Sequence, residues 1–300
     1  MACYHPLRGF INTAGRFQKE PERGATYVEL ACGQCIGCRI DRSRAWAIRC
    51  IHEAQSHESS EFVTLTYDRH NLPKGGTLQP EDLRLFIKRL RHNVGPVRYF
   101  ASGEYGEEKG RPHYHAIIFG LNLEDREKYA PSKITGQDRY KSRILEKIWD
   151  KGETETGSVT FSSAAYVAKY IYKKINGKRA DEHYTTIDPK TNKRIKIHPE
   201  FSRVSNRPGI GSEWFRRYWT EVYPRDYVVV NGKQYRPPPY YDRLLKEKDP
   251  ELYQRVIQKR AEHALKEYSI AEAEPSRLAQ REEVAKARTN LYGEKIGRAH

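Results

Sequence analysis

Two strand-like runs, Val97 to Glu104 and His113 to Phe119, flank a short loop of Gly, Glu and Pro residues. A connection this short between extended runs makes them antiparallel neighbours. With residues 105–112 as the loop, Glu104 sits opposite His113. Side chains alternate along a strand, so His113, His115, Ile117 and Phe119 face one way, and Tyr114, Ala116 and Ile118 the other. Opposed residues share a face, and Ser102, Glu104, His113 and His115 are therefore expected to converge. Two imidazoles and a carboxylate suit a divalent ion with open positions for substrate oxygens. The mixed N/O set admits Mg²⁺, Mn²⁺ or another first-row ion. Glu107 and Glu108 compete for the acidic position but lie in the loop.

Further along, Tyr166-Val167-Ala168-Lys169-Tyr170 falls in a helical pattern over Ser162 to Lys174. Ala164, Val167, Ala168, Ile171 and Ile175 form its apolar stripe. Tyr166 and Tyr170, four apart, share one face on the flank of that stripe. Tyr172 points elsewhere. Lys169 and Lys173 lie near the tyrosines and suit phosphate oxygens. A free phenol ionises near ~10, so it attacks a phosphodiester poorly unaided. A metal that polarises the phosphate, with a lysine favouring the phenolate, supplies the missing activation. Paired strand histidines or helix tyrosines alone are usually packing features. Together, on a basic chain, they point to tyrosine chemistry on nucleic acid.

The basic balance is marked: 54 Lys+Arg against 39 Asp+Glu in 300 residues, a formal +15. That charge favours a polyanionic partner. No apolar run approaches a bilayer span, and Met-Ala-Cys-Tyr-His-Pro lacks the apolar core of a signal peptide. The expectation is a soluble intracellular protein that binds nucleic acid and no membrane.

Composition divides the chain into a cysteine-bearing segment and helix (1–60), a core (61–178), a basic/aromatic accessory region (179–240) and a charged helical tail (241–300). Asp41 to Gln55 reads as the first helix, Phe62 to Tyr67 as a strand, and Pro80 to Asn93 as a helix burying Leu83, Phe86, Ile87 and Leu90. Ser142 to Trp149 is a further helix. Residues 176–224 read as polar and loop-rich. Trp214, Arg216 and Arg217, in the run Trp214 to Trp219, are candidate DNA contacts. Asn231-Gly232 predicts a tight hairpin within Tyr227 to Tyr235.

Of the five cysteines, Cys32, Cys35 and Cys38 form C-x2-C-x2-C, a partial metal pattern lacking a fourth ligand at the next step. Cys50 is a poor fourth ligand, because a helix places it on the order of 15–18 Å from Cys38 at 1.5 Å per residue. Cys3 or His5 folding back would complete a structural Zn²⁺ site. The alternative is a group of reduced thiols packed near the N-terminus.

These motifs resemble the HUH endonuclease superfamily of rolling-circle initiators, relaxases and transposases. Phe62 to Tyr67 is similar to its first strand motif, His113-Tyr114-His115 to its paired-histidine motif, and Tyr166 with Tyr170 to its two-tyrosine motif. Four flanking segments resemble the gokushovirus-type replication initiators of the Microviridae. They are Cys32 to Arg39, Ser43 to Ala47, Arg98 to Gly106, and Pro208 to Gly211.

The resemblance implies an α+β fold with an antiparallel, ferredoxin/RRM-like central sheet. The histidines would lie on a central strand, with helices packed on one face. It implies a nuclease that nicks the origin plus strand of a phage genome in the host bacterial cytoplasm. One tyrosine would take the 5′ phosphate and the other later close the displaced strand into a circle. Origin DNA, single-stranded and replicative form, would be the partner, with a host helicase or polymerase possible by analogy. Two other readings stay open: a transposase or relaxase of the same superfamily, and a non-catalytic single-stranded DNA-binding protein.

Overall fold

The computed structural model describes residues 3–106, 110–131, 137–170, 180–187 and 192–297. In chain order the elements begin with β1 (Leu7–Ile11), β2 (Phe17–Gln18), β3 (Thr26–Leu30) and α1 (Ile36–Ala54). Then come β4 (Ser60–Tyr67), α2 (Pro80–Val94), β5 (Arg98–Tyr105), β6 (Pro112–Phe119), β7 (Glu127–Pro131) and β8 (Asp138–Lys141). Next are α3 (Arg143–Trp149), β9 (Gly152–Ser158), α4 (Phe161–Tyr170), α5 (Ala180–His183), β10 (Thr185–Ile187), β11 (Arg194–Lys196) and β12 (Phe201–Val204). The chain finishes with α6 (Ser212–Val222), β13 (Val228–Val230), β14 (Lys233–Tyr235), α7 (Pro239–Lys248), α8 (Pro250–Ala264), α9 (Glu267–Glu272) and α10 (Pro275–Gly297).

Two compact units result. One comprises Met1–Arg42 with Glu251–Lys295, the other Ser43–Pro250 with Ile296–His300. The smaller holds a three-stranded sheet ordered β2-β1-β3. The larger is built on a seven-stranded sheet ordered β12-β5-β6-β4-β9-β8-β7, antiparallel at every pairing.

The expected register holds: Glu104 pairs with His113, and Ser102 with His115. Gly106 N–H donates to the Arg111 carbonyl at 2.9 Å and closes the hairpin.

Helices cover both faces of the sheet, whereas the resemblance implied one. Leu83, Phe86, Ile87 and Leu90 of α2, with Leu145, Ile148 and Trp149 of α3, pack on Val63, Leu65, Tyr114, Ala116 and Ile118. On the opposite face Ala47 and Cys50 of α1 and Ala164, Val167 and Ala168 of α4 pack on Phe100, Ile117 and Phe119. The reason lies in β6, which is apolar on both sides. A strand of that kind loses about 1.5–3 kcal/mol for each large side chain left in water, so both faces need cover.

Other expectations are adjusted locally. The first helix starts at Ile36 rather than Asp41. The aromatic-basic run read as loop-rich forms α6, with Phe215 buried on its inner side. β7 and β8 occupy the charged stretch before α3, where Ser142 caps the helix by accepting from Leu145 N–H at 3.1 Å. Asn231 and Gly232 turn the β13–β14 hairpin at φ 51° and 72°, the left-handed pair such a turn requires. Among the described residues, no helix is long and apolar enough to cross a membrane.

Candidate active site

Three neighbouring strands present two parallel rows of polar side chains on the face shared with α4. Across β5, β6 and β4 one row reads Glu104, His113, Thr66, and the next Ser102, His115, Thr64. Each histidine turns Nδ1 toward β4. His115 Nδ1 lies 3.0 Å from Thr64 Oγ1 and His113 Nδ1 3.1 Å from Thr66 Oγ1. A hydroxyl both donates and accepts, so each threonine serves either tautomer and leaves Nε2 for the site.

The Glu104 carboxylate reaches diagonally along β6. Its Oε1 lies 2.6 Å from His115 Nε2 and accepts the Tyr166 hydroxyl at 3.3 Å. Both partners of the first contact are almost fully buried, with side-chain exposures of 2% and 4%. The Tyr166 ring meets the His115 ring edge-on at 5.0 Å. Phe62 stacks on His115 at 5.8 Å and touches the Tyr166 ring edge-on at 6.4 Å. Between the histidines, Tyr114 points to the other face. There its hydroxyl accepts from Gln79 N–H at 2.8 Å, and burial pushes its ionisation up to about 12.

Several observations fit a divalent ion at this cluster. The donors are two Nε2 atoms and a carboxylate, a borderline-hard set. Ser102 Oγ, fully buried beside them, has no hydrogen-bond partner. Gly106 leaves space that a side chain would fill, since a Cβ there would meet His113 Nε2 at 3.0 Å.

Of the other residues expected at the site, Lys169 lies half-buried in the last turn of α4. Tyr170 ends that helix, and its side chain lies outside the described residues, as do Glu107, Glu108, Lys173 and the continuation of the stripe through Ile171 and Ile175. Trp214, Arg216 and Arg217 sit on α6. Trp214 stacks on His52 at 3.5 Å and donates from its indole to Gln55 Oε1 at 2.8 Å. Arg216 pairs with Glu213, and Arg217 is exposed. The sequence reading missed the roles of Phe62, Thr64 and Thr66. The signal was present, because the three alternate on one face of β4 and that face is the one the histidines use.

The cysteines resolve in favour of Cys3. Sulfur atoms of Cys3, Cys32, Cys35 and Cys38 all lie within 4.8 Å of one another. His5 instead bonds Glu282 at 2.9 Å, and Cys50 is fully buried in the sheet core beside Ala47 and Ile117.

A family model for replication-associated proteins of the ORF2 class matches residues 60–175, a span that begins with β4 and contains all of α4. Replication-associated protein VP4 of Bdellovibrio phage phiMH2K is 34% identical over 267 residues, covering 84% of this chain and 80% of the relative. The chain belongs to the phage replication-associated protein family. Replication-associated protein ORF2 of Spiroplasma virus 4 is 33% identical over 253 residues, covering 79% and 74%. Replication-associated protein ORF4 of Chlamydia phage 1 is 30% identical over 226 residues, covering 72% of this chain and 53% of the relative. No solved structure matches the chain.

The flanking segments typical of this family meet in one buried network. Glu53 of α1, 2% exposed, accepts from Arg98 of β5, from Gly211 N–H at 2.6 Å and from His57 at 3.4 Å. Arg98 also donates to the Pro208 carbonyl at 2.6 Å, and Arg49 to that of Ile210 at 3.0 Å. Burial by itself would raise the Glu53 carboxyl. The His57, Gly211 and Arg98 hydrogen bonds outweigh it and hold the group below its ordinary value.

Proposed function

We propose that this protein initiates replication of a small phage genome as a metal-dependent, site-specific nuclease and strand transferase for single-stranded DNA. The observation that carries the reading is the convergence of the Tyr166 hydroxyl and His115 Nε2 on one buried carboxylate oxygen, Glu104 Oε1. An aromatic residue kept only for packing has no need to aim its hydroxyl at a histidine–carboxylate pair. The basic charge and the names of the relatives support DNA as the substrate and replication as the process.

His113, His115 and Glu104 would hold the ion. When bound, Mg²⁺ or Mn²⁺ polarises the scissile phosphate and offsets the charge that develops in the transition state. Thr64 and Thr66 orient the imidazoles. Glu104 Oε1 accepts the hydrogen bond that carries the phenolic proton of Tyr166. The Tyr166 oxygen forms the new bond to phosphorus as the bond to the 3′ oxygen breaks. The products are a 5′-phosphotyrosine and a 3′ hydroxyl able to prime synthesis. Tyr170, one helical turn away, is the nucleophile for the closing step that releases a circle. Lys169 and the basic side chains Arg216 and Arg217 hold phosphates, and Trp214 offers stacking surface. The protein acts in the host cytoplasm, where the genome is copied.

The test is incubation with Mn²⁺ and labelled single-stranded oligonucleotides tiling the cognate phage genome, read on a denaturing gel. A covalent protein–DNA band is expected from one origin segment, and its loss in the Tyr166→Phe/Tyr170→Phe double variant. Tight binding without any covalent band would make the chain a non-catalytic binding protein.

The threonines give a second prediction. Thr64→Val keeps the shape of the strand but removes the partner of His115 Nδ1. Mn²⁺ affinity, read as a metal-dependent shift in melting temperature, is expected to weaken about 10–100-fold. An unchanged affinity would leave Thr64 no part in orienting the ligand.

A further inference from the structure

We propose that Cys3, Cys32, Cys35 and Cys38 hold one structural Zn²⁺ in a closed, four-thiolate tetrahedral site. This inference is independent of the nuclease reading, because the cluster lies in the smaller unit and shares no residue with the histidine site.

The first argument is spacing. Zinc–sulfur bonds of about 2.3 Å put the sulfurs of a tetrahedral site roughly 3.8 Å apart. The four sulfurs here all lie within 4.8 Å of each other, and those of Cys32 and Cys38 are 4.0 Å apart. A multi-iron cluster sits between its thiolates and spreads them further than this. None of the five cysteines is in a disulfide, so all four sulfurs are available as ligands.

The second argument is the way the sulfurs are solvated. Backbone N–H groups point at three of them. Cys32 N donates to Cys3 Sγ at 3.2 Å, and Tyr4 N to Cys35 Sγ at 3.3 Å. Gln34 N and Cys35 N both donate to Cys32 Sγ, at 3.4 and 3.3 Å. Amides aimed at sulfur stabilise thiolate rather than thiol, and a four-thiolate site carries excess negative charge that needs such donors. The loop is shaped for it. Gly33, between Cys32 and Gln34, has φ +73°, and a Cβ there would come 2.8 Å from Arg42 Nη2. Cys35 and Cys38 lie three residues apart at the start of α1, so both can face one point.

The third argument is the lack of any other core for this segment. Within β1 only Gly9 is buried, and within β2 and β3 no residue is. The buried cluster of the N-terminal segment consists of Cys3, Cys35 and Cys38, with Tyr4 and Cys32 against it. Three thiols bury too little surface to hold a three-stranded sheet to a helix. Small units in that position depend on a metal for folding free energy.

The experiment measures bound metal in the full-length chain purified from zinc-replete cells. One zinc per chain is expected in the wild type, in Cys50→Ser and in His113→Ala/His115→Ala. Cys35→Ser and Cys3→Ser should each retain almost none. X-ray absorption on the His113→Ala/His115→Ala protein should give four sulfur neighbours at about 2.3 Å. If the cysteine variants fail to fold, thiol labelling of the wild type decides. Four thiols should be protected until a chelator is added. Zinc that disappears with the histidines, an iron-containing chain, a metal surrounded by N and O, or labelling indifferent to chelator would each overturn the assignment.

Discussion

Glu104→Gln and His115→Ala should each lower Mn²⁺-dependent adduct formation by about 10²–10³-fold, the scale of losing one preorganised electrostatic contact in an active site. Glu104 Oε1 serves His115 and Tyr166 together, so the loss reaches ligand and nucleophile at once. Glutamine keeps the size and one acceptor oxygen but not the charge that a divalent ion requires. A readout besides activity separates metal binding from chemistry. Mn²⁺ at about 100-fold its dissociation constant stabilises a fold that binds it by roughly 2.7 kcal/mol. That stabilisation is expected in the wild type and in Tyr166→Phe, and not in either ligand variant. Adduct formation at wild-type rates in both Glu104→Gln and His115→Ala would remove these residues from the metal site.

Replacing Glu53 by alanine is expected to be the most destabilising single change in the larger unit. Its carboxylate joins α1 to Arg98 of β5 and to the Gly211 amide. Deleting it leaves a buried guanidinium without its charge partner, which costs about 3–5 kcal/mol. For a unit of this size that is a fall in melting temperature of the order of 10 °C. Glu53→Gln, which still accepts from Gly211 and Arg98, should lose less. The pH dependence has a definite sign. Because folding holds the Glu53 carboxyl below 4.5, its contribution is complete above that pH and is lost as pH falls through the folded value. Acid unfolding of Glu53→Gln should therefore be shallower below pH 4.5 than that of the wild type. Equal melting temperatures for Glu53→Ala and the wild type would show that the network contributes no net stability.

Much of this is legible without coordinates, for a physical reason. Side-chain alternation and helical periodicity are local, so His113 with His115, the buried face of α2, the stripe Ala164-Val167-Ala168 and the Asn231-Gly232 turn follow from spacing alone. The Glu104–His113 register was equally accessible, because a short loop leaves the hairpin little choice. What spacing cannot supply is which distant segment comes alongside. That Thr64 and Thr66 rather than another strand face the histidines depends on β4 pairing with β6. That Cys3 rather than His5 or Cys50 joins the other three thiols depends on a segment 29 residues earlier folding back to Cys32. That Arg98, Gly211 and Glu53 are one network depends on contacts spanning up to 158 residues. The chemistry-bearing residue types were written in the sequence. Their partners were decided by long-range packing, since only the assembled sheet determines which faces must be covered and which buried polar groups must find each other away from water.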